Sequence, residues 1–310
     1  MPRLSAALAL IAALGLLPAA PVQAVQRAYV SANGNDANTA TGCPSTAPCR
    51  WFATAVSVVD PNGEVVAMDS GAYGGVVLTQ SVSLIAAPGV YAGISVFSGA
   101  GVTINTPGLN VVLRGMTING MGGSTGVSIA NAASVSIENC VVANFSGSGG
   151  AAISVNGPVP VRIADTVLRN NFYGVALQGG AIADISTSRL LGNTQAGLYV
   201  YGAAAGTTSA TLGTSLVTGG AYGVDALANA AGATVKVSLI RSTVSNSGTG
   251  VNAESNAGSA VLALSGSLVT GNTTGLRQNG AGATLKSLGN NTVSENTTNV
   301  SGTLSTVPPL

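Results

Sequence analysis

The sequence predicts an all-β fold: a single-stranded parallel β-helix, a solenoid of about 25 residues per coil. Three observations predict it. An aliphatic marker returns at Ile118, Val142, Leu168, Leu191, Val217, Val244, Val269 and Val293, at intervals of 24, 26, 23, 26, 27, 25 and 24 residues. Each period holds three short runs in which apolar and small residues alternate, the period-2 pattern of a strand, and Gly, Asn and Ser turns separate the runs. Helix formers are scarce: 2 Lys and 4 Glu stand beside 43 Gly. That scarcity excludes a leucine-rich horseshoe, which needs a helix or turn-and-helix in every repeat. Neighbouring coils pair at about 4.8 Å, so roughly ten coils make a rod on the order of 50 Å long. One coil cannot bury its apolar face alone, so the repeating aliphatics must stack into a shared interior.

The columns around the marker are regular. Five positions before it stands Leu113, Ile137, Ile163, Leu212, Leu239, Leu264 or Leu288; the copy ending at Leu191 departs by one, with Ile185 six before. Two positions after it comes a turn residue: Asn144, Asn170, Asn193, Gly219, Asn246, Gly271 or Glu295. Four further on a glycine precedes an aliphatic, as in Gly174-Val175 and Gly197-Leu198.

Ahead of the repeats, residues 1–24 read as an export signal. Arg3 gives the positive start, Leu4 to Leu17 is an apolar run too short to anchor, and Val22-Gln23-Ala24 offers a small-residue cleavage site. The expected location is secreted or periplasmic, with no membrane contact after signal removal. Charged residues make up only 7% of the chain and its net charge is +1; with no basic patch, nucleic-acid binding is excluded.

Residues 25–63 form an expected N-terminal cap, and 64–310 the β-helix. Within the cap, Arg27–Val30 reads as a strand and Asn33-Gly34-Asn35-Asp36 as a turn. Phe52, Ala55, Val56 and Val59 have helical spacing, so a short helix is expected to close the rod with Trp51 or Phe52 buried. Cys43 and Cys49 suit a local disulfide in an exported chain; a metal site is the alternative, and a chain without His argues against zinc. Cys140 shares an inward column with Thr166, Ser215, Ser242 and Ser267 and reads as a small buried thiol.

These stretches carry a resemblance. Ala28-Tyr29-Val30-Ser31, Gly34-Asn35-Asp36-Ala37-Asn38, Ala47-Pro48-Cys49-Arg50, Asp69-Ser70-Gly71-Ala72-Tyr73 and the Ile-x-Asn-Cys-x-Val run at 137–142 resemble exported bacterial right-handed parallel β-helix proteins of the pectin-lyase-like superfamily. The resemblance covers essentially the whole mature chain and implies right-handed coiling. It also implies a range of activities, from pectate lyases and polygalacturonases to alginate-modifying enzymes, adhesins and members with no known reaction.

The residues themselves favour a structural or glycan-associated role. The polygalacturonase signatures are missing, His is absent and no two carboxylates are adjacent, so hydrolysis by an acid and a base is not expected. Lyase chemistry in pectate-lyase-like relatives implies an Arg or Lys base and Ca²⁺, whose six to eight oxygen ligands are hard to assemble from ten scattered Asp and Glu. No other cofactor is expected. One constellation remains. Arg114, Glu138, Arg162 and Asp184 take outward positions in consecutive coils, each beside an inward aliphatic, and so should form a row of alternating sign about 5–7 Å apart. It reads as a surface ion-pair ladder. In the alternative, a polysaccharide lyase, it is a groove in which the arginines bind glycan carboxylates and an acid serves as acid or base. A third reading, an adhesin, finds no anchor or sorting motif in residues 303–310. The tyrosines at 73, 173, 199, 201 and 222 read as isolated turn packing, and Asp165 as a turn cap.

Overall fold

The structure, a computed structural model, describes residues 25–307, so the expected export signal lies outside the described residues. Three parallel sheets run the length of the rod, of twelve, ten and ten strands, here called sheets I, II and III in the order a coil visits them. Sheet I opens with Arg27–Val30, which pairs with Gly63–Ala67, and closes with Leu304–Thr306. One coil shows the plan: Ser134–Glu138 lies in sheet I, Val141–Ala143 in sheet II and Ala151–Asn156 in sheet III.

Inward positions repeat from coil to coil and stack directly. Leu113, Ile137, Ile163, Ile185, Leu212, Leu239 and Leu264 pair in register down sheet I, and none is exposed. Sheet II contributes Ile118, Val142, Leu168, Leu190 and Val217, and sheet III Val127, Ile153, Val175, Leu198 and Val224. Each of these rungs is aliphatic, so the lanes stack into a packed core.

Two registers differ from the spacing argument. Leu190, not Leu191, pairs with Leu168 and Val217. Ile185 then stands five positions before its marker like every other copy, and the apparent break disappears. In the last coils Ser287 pairs with Leu264, while Leu288 lies past the strand.

The turns explain the Asn and Gly columns. Between sheets I and II, Asn139, Asp165, Thr187 and Thr214 have φ of 48–51°, and between sheets II and III, Asn144, Asn170 and Asn246 have φ of 56–70°. Asn, Asp and Gly tolerate this left-handed region best. Asp165 therefore owes its place to φ, and its Oδ1 accepts from the Thr187 hydroxyl at 2.6 Å instead of capping backbone.

Just after each of these turns the interior is polar and ordered. The backbone N–H of Cys140 donates to Thr166 Oγ1, Thr166 to Ser188 Oγ, Ser188 to Ser215 Oγ, Ser215 to Ser242 Oγ and Ser242 to Ser267 Oγ, at 3.1–3.3 Å. Each hydroxyl donates in turn to the carbonyl two residues before it. Asn171, Asn193 and Asn272 build a second ladder at the other turn. Buried backbone groups that face no strand are thereby satisfied. The glycines that open the sheet III strands are needed for closeness: a Cβ on Gly126 would sit 2.3 Å from Val142 Cγ1 and 2.5 Å from the Ala152 carbonyl.

At the N-terminal end, the helix is Phe52–Val56 and buries Phe52, Ala55 and Val56. Phe52 packs on Tyr73, with ring centroids 5.2 Å apart. Trp51 stays 41% exposed beneath the Arg50 guanidinium, 4.0 Å from its ring. Cys43 and Cys49 are joined, with Cα atoms 5.2 Å apart. Asp36 accepts from the N–H of Arg50 and Trp51, and Asp69 ties Ser31, Ala32 and Tyr73 together. Arg27–Val30 belongs to sheet I itself, so the cap is a set of contacts on the first coil.

Candidate functional site

The row expected from sequence lies on the outer face of sheet I. Arg114 pairs in register with Glu138, and Arg162 with Asp184, two residues across the sheet. Glu138 is the centre. Its Oε2 accepts from Arg114 Nε at 3.0 Å, and its Oε1 lies 3.3 Å from an Arg162 guanidinium nitrogen and accepts from Ser136 Oγ at 2.7 Å. The Ser136 hydrogen bond and the two guanidiniums outweigh partial burial and hold the Glu138 carboxyl below the usual carboxylate range. A carboxylate engaged on both oxygens is a poor proton acceptor. Asp184 makes no ion pair with Arg162 within 4 Å. The four residues share a face, as three bonded members and one neighbour. Beside them Val112, Pro160 and Ile182 floor a shallow apolar trough.

A second constellation, which the sequence reading left scattered, forms on the outer face of sheet III. Register places Ser128, Ser154, Ala176, Tyr199, Asp225, Asn252 and Arg277 in one outward line, with Gln178, Tyr201 and Glu254 in the next. The tyrosines are not isolated. Tyr199 stacks between Tyr173 (4.9 Å, 9°) and Tyr201 (5.5 Å, 16°), and Phe172 meets Tyr173 edge-on. Because these faces cover one another, the row offers ring edges and hydroxyls outward. Before it the line turns small, at Ser154 and Ala176, and a hollow of about 160 Å³ opens, walled by Tyr173, Tyr199, Tyr201 and Gln178. A further hollow of about 530 Å³ continues past Gln178 to Asn156, Ala204 and Thr208 at the turn into sheet I.

On the other side of the tyrosines lies Asp225, 7% exposed although it occupies an outward position. Burial, reinforced by the nearby charge of Glu254, pushes its carboxyl up to about 6 against the hydrogen bond from Asn252. Asn252 Nδ2 bridges two carboxylates, donating to Asp225 Oδ1 at 2.8 Å and to Glu254 Oε2 at 3.2 Å. Glu254 faces Arg277 at 4.0 Å. The side chain of Asn252 is almost fully buried, and its Oδ1 has no hydrogen-bond partner. Tyr199 is also held in its neutral form, first by burial and then by the charge of Asp225. Two carboxyl groups thus meet across coils, although no two are adjacent in sequence.

Cys140 is buried and its thiol is pushed up to about 11 by that burial, which removes it as a nucleophile. Among the described residues no three His, Cys, Asp or Glu side chains come together as a metal cage. Among the described residues no helix is long and apolar enough to cross a membrane.

Comparison with known proteins agrees with the architecture. Among solved structures the chain is similar to the pectate lyase Pel9A, with a TM-score of 0.62 and 13% identity over 93% of this chain and 78% of that one. Looser likenesses, at TM-scores of 0.45 and 0.42 and 14% identity, are to a rhamnogalacturonan lyase (83% of each chain) and to the A-module of mannuronan C-5 epimerase AlgE6 from Azotobacter vinelandii (80% of this chain, 92% of that one). No curated protein sequence matches the chain. Residues 92–298 match the family described as "Right handed beta helix region". With that match spanning more than half of its length, and with three parallel sheets wound about one aliphatic core, the chain belongs to the right-handed beta helix family.

Proposed function

We propose that this is an extracytoplasmic, glycan-associated β-helix protein whose polysaccharide lies on the outer face of sheet III, against Tyr173, Tyr199 and Tyr201. The observation that carries the reading is the hollow beside the tyrosine row. It is concave, partly apolar, and ringed by hydroxyls and the Gln178 amide, the surface chemistry that suits a sugar ring. Past Gln178 a second hollow lies across the same coils, so the surface has room for more than one sugar. A pectate lyase shares this fold, which favours a polysaccharide as the ligand. The Cys43–Cys49 bond and the leader at 1–24 favour an oxidising compartment.

The lyase alternative would place chemistry at Arg114, Glu138, Arg162 and Asp184, with Ca²⁺ needed only in that case. The bonding of Glu138 instead favours a brace between coils. A glycan array read with the purified mature protein tests the proposal. Binding that Tyr199→Ala abolishes and Arg162→Ala leaves intact supports it. The lyase alternative is read separately, by ultraviolet absorbance of unsaturated product on pectate and alginate with and without Ca²⁺. Steady product formation lost in Arg162→Ala would overturn the assignment to sheet III.

A further inference from the structure

The charges of this protein are sorted by face, and the sorting selects a ligand. Along all ten strands of sheet III the charged residues are Asp225, Glu254 and Arg277, and the turns flanking that sheet add only Glu295. Arg277 already faces Glu254. The other cations of the repeats lie elsewhere: Arg114, Arg162, Lys236 and Lys286 on sheet I, Arg169 and Arg189 on sheet II, and Arg241 in the turn between those two. Arg50, at the capped end, lies over the Trp51 ring.

A uronate polymer carries a carboxylate on every sugar. Laid on sheet III, those carboxylates would find no free cation along the tyrosine row and would approach two acids, a loss on both desolvation and repulsion. The hydrogen-bonding groups give the same sign. The carboxylates of Asp225 and Glu254 only accept, and Asn252 Nδ2 already donates to both. The one charged donor at this end, Arg277, already faces Glu254, and the two carboxylates have room for a further donor. A sugar hydroxyl supplies one, and a carboxylate cannot. Around the hollow, Ser154, Gln178 and the tyrosine hydroxyls can both donate and accept, which matches a hydroxylated, uncharged chain.

We propose that the outer face of sheet III takes a neutral polysaccharide and rejects polyuronates, its acceptor end at Asp225 and Glu254 being met by sugar hydroxyls. This rests on the reading of sheet III as the glycan face.

The test is affinity electrophoresis of the mature protein through gels containing a β-glucan, a xylan, a mannan, polygalacturonate or alginate, each at 20 mM and 300 mM NaCl. The expected result is retardation by at least one neutral polymer, changed less than twofold by salt, with either uronate polymer bound at least tenfold more weakly at both salts. Tyr199→Ala and, as a milder variant, Gln178→Ala should each weaken the neutral interaction tenfold or more. Tighter binding of a uronate polymer, relieved by salt and lost in both variants, would overturn the neutral assignment while leaving sheet III as the glycan face. Retardation by a neutral polymer that neither variant changes, or by no polymer at all, would overturn both.

Discussion

Replacing Asp225 with Asn should make the protein more stable at neutral pH, because the carboxylate is being held where it does not want to ionise. Its carboxyl titrates at about 6 in the fold, against an ordinary value of 3.8. A raised carboxyl binds its proton more tightly in the native state than in the unfolded one. Between pH 4 and 6 the native state therefore holds the extra proton, and stability falls as pH rises through that window. Below it the acid is protonated in both states and the penalty vanishes. Above it the penalty is complete, about 3 kcal/mol for about two pH units, since each unit is worth about 1.4 kcal/mol. A carboxamide has the same shape, can still accept from Asn252 Nδ2 and does not titrate. The stability difference between Asp225→Asn and wild type should thus be near zero at pH 3.5, grow through pH 4–6 and level off above pH 7. Urea titrations of both proteins at half-unit pH steps measure it, the shared pH dependence cancelling in the difference. A difference that stays flat from pH 3.5 to 8, or that favours wild type at neutral pH, would refute the account of the buried acid.

Two other outcomes follow from the same geometry. Ser215→Ala removes the acceptor of the buried Ser188 N–H, an orphaned donor that costs about 1–3 kcal/mol, and a lowered urea midpoint checks it. Glu138→Gln cuts both ion pairs of the sheet I row, yet the arginines are half exposed, so the loss should stay below about 1 kcal/mol and glycan retardation should not change.

The fold was legible in the sequence because its signal repeats. The inward lanes of Leu113, Ile137 and Ile163, or of Val142 and Leu168, recur at one coil's spacing, and so do their turns. Where period alone had to choose between two adjacent leucines it chose Leu191. The choice is made by the left-handed turn two residues later, which falls on Gly192 with φ of 58°. Outward residues repeat less. The sheet I row was readable since each member flanks an obvious aliphatic. Tyr199 and Asp225 are 26 residues apart, and Asp225 and Asn252 are 27 apart, each one coil. Reading outward positions coil by coil would have joined them, as it joined Arg114 to Glu138. Composition hid them instead: at 4% aromatic the tyrosines looked sparse, and ten acids looked dispersed. The burial of Asp225 and the orphaned Asn252 Oδ1 have no sequence signal, because they depend on what the neighbouring coils lay over them.

Which outer face receives the ligand is best decided by hydroxyl-radical footprinting of the mature protein, with and without the polysaccharide it binds most tightly, read residue by residue by mass spectrometry. Oxidation of Tyr173, Tyr199 and Tyr201 should drop severalfold on binding, while Tyr91 near the capped end and the sheet I residues Pro160 and Ile182 stay unchanged. Protection at Pro160 and Ile182 with the three tyrosines still oxidised would move the ligand to sheet I and contradict the account.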